Sequence, residues 1–204
     1  MSEAEVLLAE RGYRGMTLRV LAERAAVNLA AVHYHFGSKQ KLFMALLRRR
    51  IEPINRERLV LLEKAREAEV DSRTRVTLLV EALLLPMGMA FQTEDARRRM
   101  AMMGRCMWET PELHRQVHRR FFKTVVERFY AAFEEVMPSL PPAELGVRFK
   151  LMMGTLIGTL VMQDYTIEGM PEMVVSPGEP GMGMEGMVAF ITAGMWSDQE
   201  EASA

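Results

Sequence analysis

The chain has 204 residues, 49% of them hydrophobic, which is enough to bury one large helical domain or a small domain fused to a larger one. A formal net charge of −1 excludes a uniformly basic nucleic-acid binder, and a single cysteine, Cys106, excludes an intramolecular disulfide framework. The charge is uneven, however: residues 1–50 hold nine Lys or Arg against four Asp or Glu, a net of +5, which leaves −6 on the remainder. A basic end on an acidic body is the layout of a chain that presents one end to a polyanion.

The N-terminus lacks a basic stretch followed by an apolar one, so a cytoplasmic protein is expected. The most apolar windows, "VTLLVEALLLPMGMAF" (residues 76–91) and "LMMGTLIGTLVM" (residues 151–162), fall short of the roughly 18 to 20 uncharged residues that span a bilayer. Both are expected to be buried helices, with no membrane partner.

Nearly every periodic segment repeats its apolar residues at helical spacing, and no stretch sustains period-two alternation, so the expected fold class is all-α. Residues 3–10 predict a first helix closed by Gly12, and residues 17–24 a second with Leu18, Leu21 and Ala22 facing inward. Residues 28–36 predict a third, ended by Gly37 where a left-handed backbone is favoured. Ser38 caps a fourth, whose apolar face is Leu42, Phe43, Ala45 and Leu46. Pro53 is expected to kink or break it before a continuation over residues 55–69. Further helices are expected over residues 73–91, 95–108, 111–137, 142–165 and 184–196. The prolines of "MPSLPP" end one of them, and the Gly- and Pro-rich residues 168–186 read as a long loop.

Two short helices separated by a few residues, with alanines where backbones must approach, describe a helix-turn-helix. Leu21, Ala22, Ala25, Val27 and Val32 have the spacing that lets the second helix lie across the first, which leaves Asn28, Leu29, Ala30, Ala31 and His33 looking outward. Small residues near the start of a helix let it sit deep in a major groove, where hydrogen-bonding tips reach base edges. Asn28 would also cap this helix. Tyr34 and His35 carry polar tips on the face that continues toward the phosphate backbone, and Phe36 reads as core. Lys39 falls in the first turn of the next helix, where a phosphate would meet a cation and free backbone amides together.

The stretch "AERGYRGMTLRVLAERAAVNLAAVHYHFGSKQKLFMAL" resembles the DNA-binding domain of the TetR family of bacterial transcriptional regulators. Gly12, Thr17, Leu21, Ala22, Ala25, Val27, Tyr34, Phe36, Lys39 and Leu42 stand at family positions. The resemblance implies that Thr17, Tyr34, His35 and Lys39 contact phosphates and that residues 28–34 read bases. It implies a three-helix DNA-binding domain over residues 1–46, and over residues 47–204 a helical domain that binds an effector and dimerises. Two features depart from the pattern. Ala26 stands where the turn usually has glycine, and Val20 and Lys41 stand where a carboxylate often completes a capping box. The segments "VNLAAVHYHFGSK", "RRRIEPINRERLVLL" and "MMGRCMWETPELHRQVHRRFF" are further similar to the fatty-acid-responsive repressors of lipid degradation.

Nineteen methionines suit either ordinary core or an elongated apolar cavity, because methionine adapts to irregular space. In the cavity reading Met87, Met89, Met103, Met107, Met152 and Phe122 line it, with Gly88 and Gly104 leaving room, and Arg105 either meets an anionic head group or is solvated. His114 and His118 fall one helical turn apart, as a pair of metal ligands would. Without a third ligand, and beside Arg115, Arg119 and Arg120, they read instead as a solvated basic face, and no metal or other cofactor is expected. Leu151, Gly154, Thr155, Gly158, Thr159 and Met162, paired with Phe190 and Met195, resemble the family's two-helix dimer face. A dimer is also expected because one short recognition helix reads few bases.

No phosphate loop, nucleophile elbow or H-E-x-x-H pattern is present, so an enzyme is not expected. The expected function is a ligand-responsive repressor that binds a palindromic DNA operator as a homodimer and is released by an apolar effector such as a fatty acyl compound (acyl-CoA). The alternative is a helical lipid-binding protein without DNA binding, against which the charge split and the Tyr34, His35, Lys39 corner argue.

Overall fold

The computed structural model describes residues 2–89, 93, 96, 102–106, 109–162 and 183–197. Every regular element among them is helical: α1 (Ser2–Gly15), α2 (Leu18–Arg24), α3 (Leu29–Phe36), α4 (Lys39–Glu67), α5 (Ser72–Met89), a helical turn over residues 102–106, α6 (Pro111–Val117), a π-helical turn (His118–Phe122), α7 (Lys123–Val136), α8 (Pro142–Met162) and α9 (Met184–Trp196).

Local chemistry sets most of these boundaries. Thr17 Oγ1 accepts from the Val20 amide at 3.1 Å, Asn28 Oδ1 from Ala30 at 2.7 Å and Ser38 Oγ from Lys41 at 3.1 Å, so each of α2, α3 and α4 starts on a side-chain cap. With Val20 and Lys41 at the third helical position, only the forward half of each capping box forms. Thr110 caps α6 in the same way, with Pro111 as its first residue, and Asp71 accepts from the Thr74 amide and hydroxyl at the start of α5. The hydroxyl of Thr74 holds the Asp71 carboxyl below its ordinary pKa.

Between α2 and α3 the chain leaves the helix through a Schellman closure: the Val27 amide donates to the Ala22 carbonyl and the Ala26 amide to Glu23. That closure puts Ala26 at φ +51°, left-handed backbone that glycine adopts without cost. The turn also points Val27 outward, 49% exposed, which corrects its expected place in the helix-turn-helix packing. Leu21, Ala22 and Val32 are buried as expected.

The proline in α4 does not break it. Pro53 lies on the exposed side of an uninterrupted 29-residue helix, where water can serve the carbonyl that loses its amide partner. Likewise α5 runs through Pro86 to Met89. The helix expected over residues 111–137 is interrupted instead by the π turn, where the Lys123 amide reaches back to the His118 carbonyl. The expected helix over residues 95–108 and the loop over residues 168–186 lie mostly outside the described residues.

Two hydrophobic cores result. One gathers α5 with Phe129 and Phe133 of α7, Phe149 and Met152 of α8, Ile191 and Met195 of α9, and Leu62 of α4. The other gathers Leu7 and Leu8 of α1, Leu21, Val32, and Leu42, Phe43, Leu46 and Leu47 of α4. This second core does not close on residues 1–46 alone: Met102, Met103, Cys106, Leu113, Val117 and Phe121 complete it. Each fully buried leucine stabilises its core by ~1.5–3 kcal/mol relative to exposure.

Polar contacts fasten the same seam. At Gly12 the backbone of α1 turns to φ +67°, and the Glu109 carboxylate sits in the break, accepting from the Tyr13 amide at 2.7 Å and the Arg14 amide at 2.9 Å. A Cβ at Gly12 would come within 2.9 Å of Glu109 Oε1, so the fit needs glycine for both space and dihedral. On α4, Arg50 forms a two-bond pair with the buried Glu5 of α1, at 3.0 and 2.8 Å.

Ala26→Gly is expected to stabilise the protein by about 0.5–1 kcal/mol, raising Tm by about 1–4 °C, because relief of the left-handed alanine exceeds the added unfolded-state entropy. An unchanged or lower Tm in a calorimetric scan would show that the turn carries no strain. Glu109→Ala leaves two amides without their acceptor and is expected to cost about 1–3 kcal/mol. Hydrogen exchange should then accelerate selectively at Tyr13 and Arg14, and unchanged protection there would contradict the assigned contact.

Candidate nucleic-acid interface

The capped start of α3 decides what it shows to solvent. Val32 is the buried residue of this helix and Phe36 packs partly against the core, so the helix rests on one edge. Leu29, Ala30, Ala31, His33, Tyr34 and His35 are all exposed, together with Asn28 at the cap. The structure therefore brings the expected base-reading residues together on one free surface. Tyr34 is 87% exposed, an unusual position for a large aromatic ring that is supported only by an edge contact with the His35 ring at 5.5 Å.

The polar tips around this surface are partly committed. Thr17 Oγ1 caps α2, which leaves its hydroxyl proton to donate outward. His33 Nδ1 lies 3.3 Å from the Gly37 carbonyl, which can only accept, so Nδ1 is the donor and Nε2 is left for another partner. Lys39 differs from expectation. Its ammonium donates to the carbonyls of Tyr13 at 3.1 Å and Arg14 at 3.4 Å and lies 4.5 Å from the Tyr13 ring centre, half-buried. Carbonyls at the end of a helix attract a cation, so Lys39 ties α4 to α1 and can reach a phosphate only with its remaining N–H. Burial, followed by the nearby Glu109 charge, raises the Tyr13 phenol above its ordinary pKa.

Charge pairing accounts for the acids of this end of the molecule. Glu3 and Glu10 both meet Arg24, Glu23 meets Arg19 and Glu5 meets Arg50. The Arg24 hydrogen bonds hold the Glu10 carboxyl below its usual range.

In the body the expected pocket residues do not share one cavity. Met87 and Met152 are buried in the larger core, whereas Met103 is buried in the smaller one and Phe122 packs against that same core. Arg105 is exposed, the side chain of Met89 is not among those described, and Met107 lies outside the described residues. A different arginine is buried. Arg58 donates from Nε to the Leu83 carbonyl at 2.8 Å and from Nη1 to Asn55 Oδ1 at 3.1 Å, while Nη2 lies 3.7 Å from the Met87 sulfur. It has no carboxylate partner among the described residues, and burial lowers its pKa to about 10. Its spacing with Ile51, Ile54 and Asn55 on the inward stripe of α4 is the sequence signal that marks it. Cys106 is buried as well, and burial together with the Glu109 charge pushes its thiol up to about 12, so it is held neutral and unreactive.

The rings of His114 and His118 lie 6.4 Å apart, and burial and the His118 charge lower the His114 pKa. Among the described residues no group of three potential metal ligands converges. No helix among them is long and apolar enough to cross a membrane.

Of the expected dimer residues, Leu151 is 66% exposed and Phe190 68%, Gly154 is exposed, and Thr155, Gly158 and Thr159 are half-buried. A Cβ at Gly154, Gly158 or Gly194 would meet nothing within 4 Å, so α8 and α9 share an open face, to which Val147, also exposed, belongs. Met195 is the correction: it is 1% exposed, inside its own core, because it continues the buried stripe of Met184, Met187, Val188 and Ile191 on α9, and Arg148 Nη1 donates to its carbonyl at 2.9 Å. The side chain of Met162 is not among those described.

Comparison with known proteins agrees with this geometry. HTH-type transcriptional repressor AcnR of Corynebacterium efficiens is 50% identical over 40 residues, 20% of this chain and 21% of that protein, so the chain spans about a fifth of the length of the curated relatives it matches. The solved structure of PfmR, a TetR family transcriptional regulator from Thermus thermophilus, superposes with a TM-score of 0.60 at 16% identity, over 95% of this chain and 94% of that one. AibR in complex with isovaleryl coenzyme A and operator DNA superposes with a TM-score of 0.59 at 13% identity, over 94% of this chain and 92% of that one. Both are likenesses of fold. Residues 1–46 match the family described as bacterial regulatory proteins, tetR family, and residues 81–194 match the tetracyclin repressor-like C-terminal domain. With more than half of its length in that second match, and a helix-turn-helix at its basic end, the chain belongs to the TetR family of transcriptional regulators.

Proposed function

We propose that the protein is a homodimeric repressor that binds a palindromic operator through α3 and is released by an acylated effector. The observation that carries the DNA-binding part is the exposed surface of α3, where Asn28, Leu29, Ala30, Ala31 and His33 face solvent with Tyr34 and His35 beside them. Small residues leading and hydrogen-bonding tips following is the order that a major groove accommodates. Thr17 and Tyr34 supply neutral donors to phosphate, His35 follows them, and Lys39 contributes its remaining N–H. The likeness to AcnR, named as a repressor, supports the sign of regulation.

Dimerisation follows from the α8 and α9 face. A surface made of exposed Val147, Leu151 and Gly154 and half-buried Thr155 and Gly158 on one helix, with exposed Phe190 and Gly194 on the next, is mostly apolar and closely approachable in the single chain. Burying it against a second copy forms a four-helix interface and sets two α3 helices about 34–36 Å apart, one turn of B-DNA. Thr159 and Met162 extend the same helix toward its end.

The effector reading rests on the Met-rich body and on Arg58, a buried cation that lacks a carboxylate among the described residues. An acylated anion suits apolar surroundings with a few polar groups, and the fold shared with AibR, solved with isovaleryl coenzyme A, supports the class. Such an effector need shift the head by a coupling free energy of only about 1–3 kcal/mol to alter operator affinity 5- to 150-fold.

In a selection from random duplexes followed by binding titrations, Tyr34→Phe is expected to weaken every sequence alike, by about 3- to 10-fold, since a phosphate contact carries no base information. His33→Ala is expected to change which base is preferred in each half-site, by about 1–3 kcal/mol of discrimination. The same losses from both, with no change in preference, would remove α3 as the reading helix. Leu151→Glu and Phe190→Glu should each raise the dimer dissociation constant by about a hundredfold or more in sedimentation equilibrium, because each buries an unpaired charge. Operator binding should fall in parallel, and a persistent dimer would place the interface elsewhere.

A further inference from the structure

On the side of α4 turned toward α6 and the π turn lies a groove of about 330 Å³, lined by Gln40, Lys41, Met44, Ala45, Arg48, Gln116, Arg120 and Phe121. Its α4 wall is one helical stripe about 10 Å long: Lys41, Met44, Ala45 and Arg48 fall at successive spacings of three, one and three residues, so a cation stands at each end of an apolar middle. Opposite stand Arg120 and Phe121 of the π turn. No carboxylate lines the groove, and among the described residues none of Lys41, Arg48 and Arg120 has an ion-pair partner, although acids elsewhere at this end are paired. Gln40 donates to Gln116 across it, joining the two walls.

We propose that this groove binds a multiply phosphorylated small molecule, specifically the phosphate-bearing head of the effector, and rest this on the acylated-effector reading above. Three cations around a concavity without a counter-charge favour a polyanion over a single carboxylate, and guanidinium groups grip phosphate with two parallel bonds. Met44 and Phe121 give an apolar floor on which a planar base can lie. Charge complementarity selects the occupant, and the location gives it leverage: Lys41 and Arg48 belong to the helix that enters the DNA-binding head, Arg120 to the body. The Phe121 carbonyl accepts from Asn55 Nδ2 at 2.6 Å, and Asn55 in turn accepts from Arg58. A phosphate clamped between the walls therefore pulls on the same polar chain that registers α4 against α5.

The test compares binding of coenzyme A, dodecanoyl-coenzyme A and dodecanoate to the full chain and to an Arg48→Gln, Arg120→Gln double variant by isothermal titration calorimetry, with operator affinity measured alongside. Both substitutions are on exposed side chains, and thermal melting checks the fold. The expected result is at least about tenfold weaker binding of coenzyme A and of its dodecanoyl ester to the variant, a shallower salt dependence, and unchanged operator affinity without ligand. Equal binding of dodecanoyl-coenzyme A to both proteins would overturn the groove and leave the effector class standing. Binding of dodecanoate alone would also overturn it and narrow the effector to free acids. A matching loss of operator affinity in the ligand-free variant would make the groove a DNA surface and overturn the proposal. Binding of none of the three would overturn the groove and the acylated-effector reading together.

Discussion

The unbroken run of α4 is what the rest of the molecule is arranged around. At 29 residues it is about 43 Å long. Its first half carries Leu42, Phe43, Leu46 and Leu47 into the smaller core, and its second half carries Ile54, Leu62 and Ala65 into the larger one. A helix that is a full member of two cores cannot shift in one without straining the other, because packed interiors rearrange between discrete states rather than deform smoothly. Pro53 sits between the two halves, on the exposed side. On that side water can reach the carbonyl that loses its amide partner, and the rod keeps its continuity through the proline.

Midway along that rod the core becomes polar. A guanidinium with no carboxylate beside it is costly to bury, and the cost is met by directed hydrogen bonds: Arg58 to the Leu83 carbonyl and to Asn55, and Asn55 to the Phe121 carbonyl. These bonds fix its register against α5, three residues before Pro86, and against the wide π turn. Any displacement of α5 or of the π turn must then be carried by α4 into the head or absorbed by breaking a buried hydrogen bond. At the far end the seam is closed again by Glu109 in the Gly12 break and by Lys39 on the Tyr13 and Arg14 carbonyls. The head is thus held at two separate places by residues of the body.

The helix-turn-helix was legible in the sequence because its determinants are local. Thr17, Asn28 and Ser38 cap the helices they precede, and the small residues of α3 expose themselves once Val32 is buried. The body was less legible, since helical periodicity says that a residue is buried without saying against what. Met103 shares the spacing of the other methionines, yet residues 102–106 pack onto α1 and α4, so it fills the smaller core. Met195 is expected on a dimer face with Phe190, but it falls on the opposite, buried stripe with Met187, Val188 and Ile191. A boundary at residue 46 is natural for a helix-turn-helix, and the core beneath it also takes in Leu113, Val117 and Phe121 from later in the chain. Glu109 could not be found from spacing, because its role depends on the positive φ of a glycine about ninety-seven positions earlier.

The charge asymmetry of the sequence takes on a sharper meaning in three dimensions. All four carboxylates of residues 1–50 are engaged with Arg19, Arg24 or Arg50, and through them α1 is joined to α2 and α4. Acids used in this way no longer screen their neighbours, and among the described residues Lys41, Arg48 and Arg49 have no ion-pair partner. A net of +5 spread evenly would give diffuse attraction to any polyanion. Here Lys41 and Arg48 lie in one groove with Arg120, whereas the polar tips on and beside the exposed face of α3 are the hydroxyl of Thr17, the phenol of Tyr34 and the rings of His33 and His35. Hydrogen-bonding tips therefore gather on α3, and fixed charge gathers where α4 crosses into the body. In the proposed mechanism α4, which packs in the core beneath α3 and lines this groove, is the element through which occupancy of the groove would reach the head.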